Sequence, residues 1–189
     1  FPSVNLEVIV LDTNHLDSGR ICPWNACDRG WCDGDERNSA PDGCTMPECQ
    51  QILQERMDEA ESFLKERLDA NIGGNVIINT HYPTDYMQFG GVYGEEPYVA
   101  MFEQLRRTDV NITYIGAHKH ETRPKYDTIS PNMEWLVGGG GGWSCDGEQG
   151  FVVGDIVLAT GEVINTRVIG VPWDQCCRPN PHPWDENEN

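Results

Sequence analysis

The sequence contains no apolar run long enough to cross a membrane, and it is poor in cationic residues. Its 13 Lys and Arg residues stand against 31 Asp and Glu residues, which leaves a formal net charge of -18 at pH 7. A membrane span needs about 20 apolar residues, so we expect no spanning segment. A surface this acidic repels phosphate backbones, which argues against nucleic acid or an anionic membrane as a partner. An anionic small substrate fits only if bound cations invert the field locally.

The sequence also lacks the CxxC pairs of structural zinc sites, although it contains eight cysteines. Five of them lie between Cys22 and Cys49, within a loop-like insertion at about 17–47 that shows no hydrophobic periodicity. An even and dense set of cysteines in a domain of this size favours disulfides and a secreted, extracellular protein. The sequon at Asn111 predicts N-glycosylation in the same compartment. The predicted disulfide residues are Cys22, Cys27, Cys32, Cys44, Cys49, Cys145, Cys176 and Cys177.

Neither an initiator methionine nor a leader peptide stands at the start of the sequence, which opens at Phe1. A secreted protein is synthesised with a leader, so we expect a processed or incomplete product. At the other end, residues 177–189 are rich in Pro, Asn and acidic side chains. This composition predicts a poorly ordered acidic tail.

The rest of the sequence alternates between short β-branched runs and helical apolar stripes. We predict strands at 6–11, 76–78 and 111–115, with helices at about 47–71 and 96–108 between them. Each helix then joins two parallel strands as a crossover. Beyond Met133, strands at 134–137, 151–158 and 163–171 end in an antiparallel hairpin with a tight turn at Thr160-Gly161. The predicted fold class is therefore α/β.

Histidines follow two of the predicted parallel strands, at the point where each strand ends. His81 follows the second strand, and His118 and His120 follow the third. In an open α/β sheet, ligands bind outside the carboxyl ends of the strands. Neutral imidazole is a common ligand for Zn, Fe and Mn. The pattern indicates a metal site at these three histidines, and the plain alternative is that each one is a surface or hydrogen-bonded core residue.

Three segments in this order resemble the last motifs of the calcineurin-like metallophosphoesterases. They are NVIINTHYP at 75–83, IGAHKH at 115–120 and WLVGGGGG at 135–142. The closer resemblance is to the purple, or tartrate-resistant, acid phosphatase branch, which has His-Tyr-Pro after a buried strand and Gly-His-x-His after the next. The opening VIVLDTN at 8–14 resembles the mid-domain strand of that branch. The likeness covers residues 4–170 apart from the cysteine-rich insertion.

The resemblance implies a four-layer fold, with two sheets packed face to face and helices outside. It implies that His81 and His118 bind one metal ion and that His120 binds a second, with Fe, Zn or Mn as the ions. It further implies hydrolysis of a phosphate ester on a small molecule or a protein, with water attacking in line between two metal ions. Ala117 departs from the pattern, because the family usually has a histidine directly after the glycine.

The earlier motifs of that family, which carry the bridging carboxylate and the catalytic histidine, have no match in this sequence. The resemblance therefore makes residues 1–176 the C-terminal half of a phosphoesterase domain, with the catalytic residues in an N-terminal half. Apolar strands that need cover on both faces favour the same arrangement. Asp12, Asn14 and His15 follow the first strand and are candidates to replace the missing ligands. The resemblance, however, places them at a strand end that carries no metal ligands. The alternative is an inactive extracellular structural or binding protein built on this scaffold.

Overall fold

The computed structural model describes residues 2–17, 46–91, 96–137 and 150–171. Several predictions concern residues outside these ranges, namely most of the cysteine-rich insertion, the glycine run at 138–142 and the acidic tail. Seven of the predicted disulfide residues also lie outside them: Cys22, Cys27, Cys32, Cys44, Cys145, Cys176 and Cys177. Cys49 belongs to a described helix, but its side chain lies outside the described part of the structure.

Five strands form one mixed sheet in the order β1-β2-β3-β5-β4. The strands are β1 (Leu6–Val10), β2 (Asn75–Thr80), β3 (Asn111–Gly116), β4 (Thr122–Lys125) and β5 (Met133–Val137). Strands β1, β2, β3 and β5 are parallel, and β4 pairs antiparallel with β5 at the edge. Strands β6 (Gly150–Ile156) and β7 (Val163–Gly170) form a separate antiparallel hairpin. The predicted α/β class, with parallel strands followed by an antiparallel hairpin, is confirmed.

The helices connect the parallel strands. Helix α1 (Met46–Ala70) lies between β1 and β2 in the chain, and helices α2 (Thr84–Phe89) and α3 (Val99–Leu105) lie between β2 and β3. Helix α1 buries an apolar stripe that includes Met57, Leu64 and Leu68 in one core with strand residues such as Ile78 and Tyr114. Helices α1 and α3 match elements predicted from the sequence, whereas α2 and β4 were not predicted.

The two faces of the large sheet differ in how they are covered. Ile9, Ile78 and Tyr114 point towards the helices and are almost fully buried. Side chains alternate along a strand, so their neighbours point to the opposite face. On that face Val8 is 44% exposed and Val10 is 75% exposed. The parallel sheet therefore has one packed face and one partly open apolar face.

The hairpin of β6 and β7 covers only part of the open face. Asn75 Nδ2, at the start of β2, donates a 2.8 Å hydrogen bond to the Thr160 carbonyl oxygen in the hairpin turn. Gly161 follows in that turn with φ 80°, and a Cβ atom there would lie 2.0 Å from the Val4 carbonyl oxygen. Only glycine fits both the backbone conformation and this close approach. The predicted turn at Thr160-Gly161 thus docks the hairpin at the amino end of β1 and β2.

Candidate functional site

The register of β2 and β3 brings two of the predicted ligands together. Thr80 and Gly116 are paired at the carboxyl ends of these strands, so the residues that follow them leave the sheet side by side. The Ala117 amide donates a 3.0 Å hydrogen bond to the His81 carbonyl oxygen. The ring nitrogens His81 Nε2 and His118 Nδ1 lie 3.1 Å apart. Two neighbouring strand ends therefore place two imidazoles against one another.

This nitrogen–nitrogen distance is compatible with a shared metal ion. Zinc binds imidazole nitrogen at roughly 2.0–2.1 Å, so two nitrogens on one ion, at an angle of roughly 90–110°, lie roughly 2.9–3.4 Å apart. A direct hydrogen bond between a protonated and an unprotonated ring nitrogen has a similar length. The distance alone thus fits a metal-ligand pair and a hydrogen-bonded pair equally well.

Two tyrosines pack against the imidazoles. The ring centroid of Tyr82 lies 4.7 Å from that of His81 and 4.5 Å from that of His118. The Tyr86 ring meets His118 nearly edge-on, with centroids 5.1 Å apart. Tyr82 is buried, whereas His81 is exposed. The aromatic rings therefore restrict the imidazoles on one side and leave the pair accessible from the other.

The backbone of the turn after β3 adopts an unusual conformation. His118 has φ 63° and His120 has φ 53°, both in the left-handed region. For a residue with a Cβ atom this conformation costs about 1–2 kcal/mol, and such residues cluster at functional sites. The Lys119 amide donates to the Ala117 carbonyl oxygen at 2.7 Å, which closes a tight three-residue turn centred on His118.

His120 is the third predicted ligand, and its role in metal binding stays a prediction. It lies half-buried in the turn, two residues after His118. Within the four described ranges, no group of three or more His, Cys, Asp or Glu side chains is arranged to hold a metal ion. The candidate site therefore rests on the contact between His81 and His118.

Gly116 precedes the histidine turn and is in close contact with the other strand end. A Cβ atom on Gly116 would lie 2.8 Å from Pro83 Cα, which is shorter than any normal contact. The glycine thus allows the end of β3 to approach the Tyr82-Pro83 segment closely. This approach keeps the segments that carry His81 and His118 next to one another.

A network of charged residues connects the histidine turn to the core. Lys119 Nζ donates to Asp85 Oδ2, and Asp85 Oδ1 lies 3.1 Å from Lys125 Nζ. Lys125 Nζ lies 3.6 Å from Glu134 Oε2, and Glu134 is fully buried. Glu134 accepts hydrogen bonds from Thr84 N at 2.9 Å and from Thr84 Oγ1. Burial favours a raised pKa for Asp85, but Lys119 and Lys125 outweigh it and hold that pKa below its usual value.

This network was not predicted from the sequence, because Asp85 lies on α2, a helix that was not predicted. Pro83 occupies the N-cap position of this helix, and Asp85 lies in its first turn. A proline followed by an acidic residue is a known signal of a helix start. That signal was present in the sequence at 83–85.

Asp12 and His15 do not form a metal-binding group with the histidine pair within the described ranges. Asp12 Oδ1 accepts hydrogen bonds from Asn14 N at 3.0 Å and from Asn14 Nδ2 at 2.7 Å, which caps a short 3-10 helix (Asn14–Asp17). His15 is buried and meets the Tyr98 ring edge-on, with centroids 5.7 Å apart. These contacts give the segment after β1 a structural role.

Asn111, the predicted glycosylation site, is exposed at the start of β3. Its Nδ2 atom, to which a glycan would be attached, donates a 2.8 Å hydrogen bond to Asn75 Oδ1. Glycosylation would replace one proton of this donor group, so the contact does not prevent it. Glycosylation of Asn111 stays a prediction.

No family model, no curated protein and no solved structure matches this chain. In the described part of the chain, none of the helices is long and apolar enough to cross a membrane.

Proposed function

We propose that this chain is the C-terminal half of a secreted, metal-dependent phosphate ester hydrolase of the acid phosphatase type. The observation that carries this proposal is the 3.1 Å approach of His81 Nε2 and His118 Nδ1 at the carboxyl ends of adjacent parallel strands. The His-Tyr-Pro and Gly-x-His-x-His segments that resemble phosphoesterase motifs are the segments that meet there. The likeness in sequence and the proximity in space support the same site.

In this proposal His81 and His118 bind one metal ion and His120 contributes to a second, with Fe, Zn or Mn as the ions. When bound, the ions supply positive charge to hold a phosphate group and to acidify a water molecule. Two neutral imidazoles can hold one such ion weakly, but neutral imidazoles cannot offset the charge of two ions, so the complete site requires carboxylate ligands in addition. We assign these ligands, and the acid and base of the reaction, to an N-terminal half of the domain.

The residues around the pair would orient the histidines and shape access to them. Tyr82 and Tyr86 pack against His118, so its ring cannot rotate freely and water is excluded from that side. His81 is exposed, which leaves a side from which a phosphate ester can approach. The net charge of -18 repels an anionic substrate over most of the surface. Bound cations would make this site the local exception.

The open face of the large sheet supports the four-layer arrangement and the N-terminal half as a partner. Val8, Val10 and Met133 lie on this face and are each at least 43% exposed. Strands of a parallel sheet are normally covered on both faces. A second sheet from the N-terminal half would cover these side chains and bring the missing carboxylates to the carboxyl edge.

A second candidate function rests on the other interpretation of the same distance. If His81 and His118 form a direct hydrogen bond, the pair is a structural link between two strand ends and needs no metal. The protein would then be an inactive extracellular structural or binding protein on a phosphoesterase scaffold. The two candidates make opposite predictions for metal binding.

The catalytic proposal is tested on the protein that includes the N-terminal half. We expect it to hydrolyse p-nitrophenyl phosphate, to lose this activity on treatment with a chelator and to regain it with Mn²⁺, Zn²⁺ or Fe. His118→Ala should abolish the activity. His182→Ala removes a histidine outside the described residues and is the matched control, which should retain full activity. An enzyme that keeps its activity after His118→Ala would contradict the proposal.

The ligand assignment is tested on this chain alone. Mn²⁺ prefers nitrogen and oxygen ligands to thiolates, so the cysteines interfere less with it than with Zn²⁺. We expect the paramagnetic ion to broaden the ring proton signals of His81 and His118 selectively in nuclear magnetic resonance spectra. His118→Ala should remove the effect on His81, whereas His182→Ala should not. Unchanged signals of both histidines would favour the hydrogen-bonded scaffold.

A further inference from the structure

We propose that Asp85 and Lys119 are positioning residues that hold the turn carrying His118 and His120 against His81. The inference rests on the proposed metal site and names two residues that no motif in the sequence indicates. Neither side chain would touch the metal or the substrate. Their effect would pass through the backbone of the turn.

The first step is the contact between the turn and α2. Lys119 is the residue between the two histidines, and its Nζ atom donates to Asp85 Oδ2. The same ammonium group lies 5.7 Å from the ring centroid of Tyr86, which itself packs against His118. The side chain of Lys119 therefore contacts two residues of α2, and one of them also contacts a proposed ligand.

The second step is the anchoring of Asp85. Its other carboxylate oxygen lies 3.1 Å from Lys125 on β4, and Lys125 lies 3.6 Å from Glu134 on β5. Glu134 is fully buried and accepts hydrogen bonds from Thr84 at the start of α2. Asp85 is thus held by an ion pair with Lys125, and the start of its helix is held by Glu134, which gives Lys119 an anchored partner.

The turn itself has an unusual backbone conformation. His118 and His120 are both held at positive φ, a conformation that a free turn leaves easily. Lys119 lies between them and is tied to Asp85. Without this contact the turn would relax towards common backbone angles, and His118 Nδ1 would move away from His81 Nε2. Ligand positions that shift by about 1 Å weaken a site substantially.

Asp85 also has an electrostatic effect on the proposed metal site. An ammonium group near a cation site opposes metal binding unless a carboxylate neutralises it. Asp85 supplies this carboxylate, and Glu134 does the same for Lys125. Removing Asp85 therefore has two consequences, a loosened turn and an uncompensated cation. Removing Lys119 loosens the turn but also removes the cation.

These two consequences give a double-mutant cycle with a distinctive outcome. We expect Lys119→Met to weaken Mn²⁺ binding about threefold to tenfold, and Asp85→Asn to weaken it about tenfold to a hundredfold. The double variant should resemble Lys119→Met alone, because the Lys119 ammonium group is then absent and Glu134 still neutralises Lys125. Lys119→Arg preserves the ion pair and should retain wild-type affinity. Glu103→Gln, which affects only the exposed Glu103–Arg106 pair, is the control and should have no effect.

Positioning is measured separately, in the metal-free chain, from the nuclear Overhauser contact between the His81 and His118 ring protons. We expect this contact to weaken in Lys119→Met and to persist in Lys119→Arg and Glu103→Gln. Variants that keep both the contact and the Mn²⁺ affinity, and lose only thermal stability, would overturn the inference. If the wild-type chain binds no Mn²⁺, the proposed function fails, but the ring contact still decides whether Lys119 positions His118. If Asp85→Asn does not fold, Lys119→Met and Lys119→Arg carry the test, since the Lys119 side chain is 32% exposed.

Discussion

The amino and carboxyl edges of the large sheet both collect polar residues, but they use them differently. At the amino edge, Asn75, Asn111 and Asn132 bind to one another or to the backbone. Asn132 donates to the Leu105 and Arg107 carbonyl oxygens and accepts from the Ile112 amide. Asn111 donates to Asn75, which donates to the hairpin turn. These amide side chains form hydrogen bonds that hold the connections between strands in place. Their role is therefore structural.

At the carboxyl edge, two titratable rings face one another on irregular backbone. His81 and His118 meet through ring nitrogens 3.1 Å apart, and His118 has a positive φ. Neutral imidazole nitrogen can bind a metal, whereas a side-chain amide nitrogen cannot. Position at a strand end therefore does not by itself indicate a metal ligand, and the type of side chain has to be considered as well.

The largest difference between the edges should appear in metal affinity. His118→Ala removes a proposed ligand, so we expect Mn²⁺ binding to weaken by more than about a hundredfold. The free energy of unfolding should change by less than about 1 kcal/mol, because the side chain is only half-buried and the substitution leaves the core packing unchanged. Isothermal titration calorimetry and urea denaturation measure the two quantities. Unchanged Mn²⁺ affinity would show that His118 is not a metal ligand, and the two edges would then not differ in metal binding.

Substitution of Glu134, the fully buried member of the charged network behind the carboxyl edge, should give the largest loss of stability. Glu134→Ala leaves Thr84 without its acceptors and deprives Lys125 of one buried partner. We expect the free energy of unfolding to fall by about 3–5 kcal/mol, measured by urea denaturation. Glu162→Ala changes an exposed glutamate and should alter stability by less than about 0.5 kcal/mol. Similar values for both variants would show that the network does not hold the edge.

The amino edge should respond in stability alone. Asn132→Ala removes one accepted and two donated hydrogen bonds, so we expect a loss of about 2–3 kcal/mol. Asn132→Asp keeps the acceptor for the Ile112 amide and should be destabilised too, because it cannot donate to the Leu105 and Arg107 carbonyls. Neither variant should change the Mn²⁺ affinity. A clear change in that affinity would mean that the two edges are coupled.

Gly116 tests the close approach of the two strand ends. Gly116→Ala places a Cβ atom 2.8 Å from Pro83 Cα, and we expect a loss of about 1–3 kcal/mol with a weaker contact between the His81 and His118 rings. Gly170→Ala is the matched control, since a Cβ atom there meets nothing within 4 Å. Its effect on the midpoint of thermal unfolding should be small. Equal effects of the two substitutions would contradict this account of the strand ends.

The smallest predicted effect concerns the ion pair between Glu7 on β1 and Arg67 on α1. The hydrogen bond from Arg67, at 2.7 Å, outweighs partial burial and lowers the pKa of Glu7. A lowered folded-state pKa stabilises the fold above the unfolded pKa of about 4.3, and this contribution is lost as the pH falls through the folded value. Wild type should therefore be slightly more stable than Glu7→Gln at pH 7 and equal to it near pH 2. A difference between them that does not vary with pH would contradict this.

The elements that could be predicted from the sequence are those with a recognisable pattern of apolar residues. Helix α1 shows its apolar stripe over several turns, and the buried runs of β2 and β3 are β-branched. Helix α2 has six residues, too few for a periodic pattern. Strand β4 contains Pro124, which lacks an amide proton and is tolerated because the strand lies at the edge.

The candidate site was predictable only in part. The proximity of His81 and His118 follows from their positions after parallel strands, and this much could be read from the sequence. The location of His120 depends on two residues at positive φ, a conformation that is uncommon even though histidine is enriched in it, so the sequence does not predict it. The contact of Lys119 with Asp85 depends on an unpredicted helix. Turn geometry and ion pairing are fixed by tertiary contacts, so local sequence does not determine them.

The most direct test of the account is a crystal of this chain soaked with Mn²⁺ and measured at a wavelength where manganese scatters anomalously. We predict an anomalous peak within roughly 2.0–2.3 Å of both His81 Nε2 and His118 Nδ1. A fully soaked crystal with no peak there, and with the two nitrogens still about 3 Å apart in a direct hydrogen bond, would contradict the metal site.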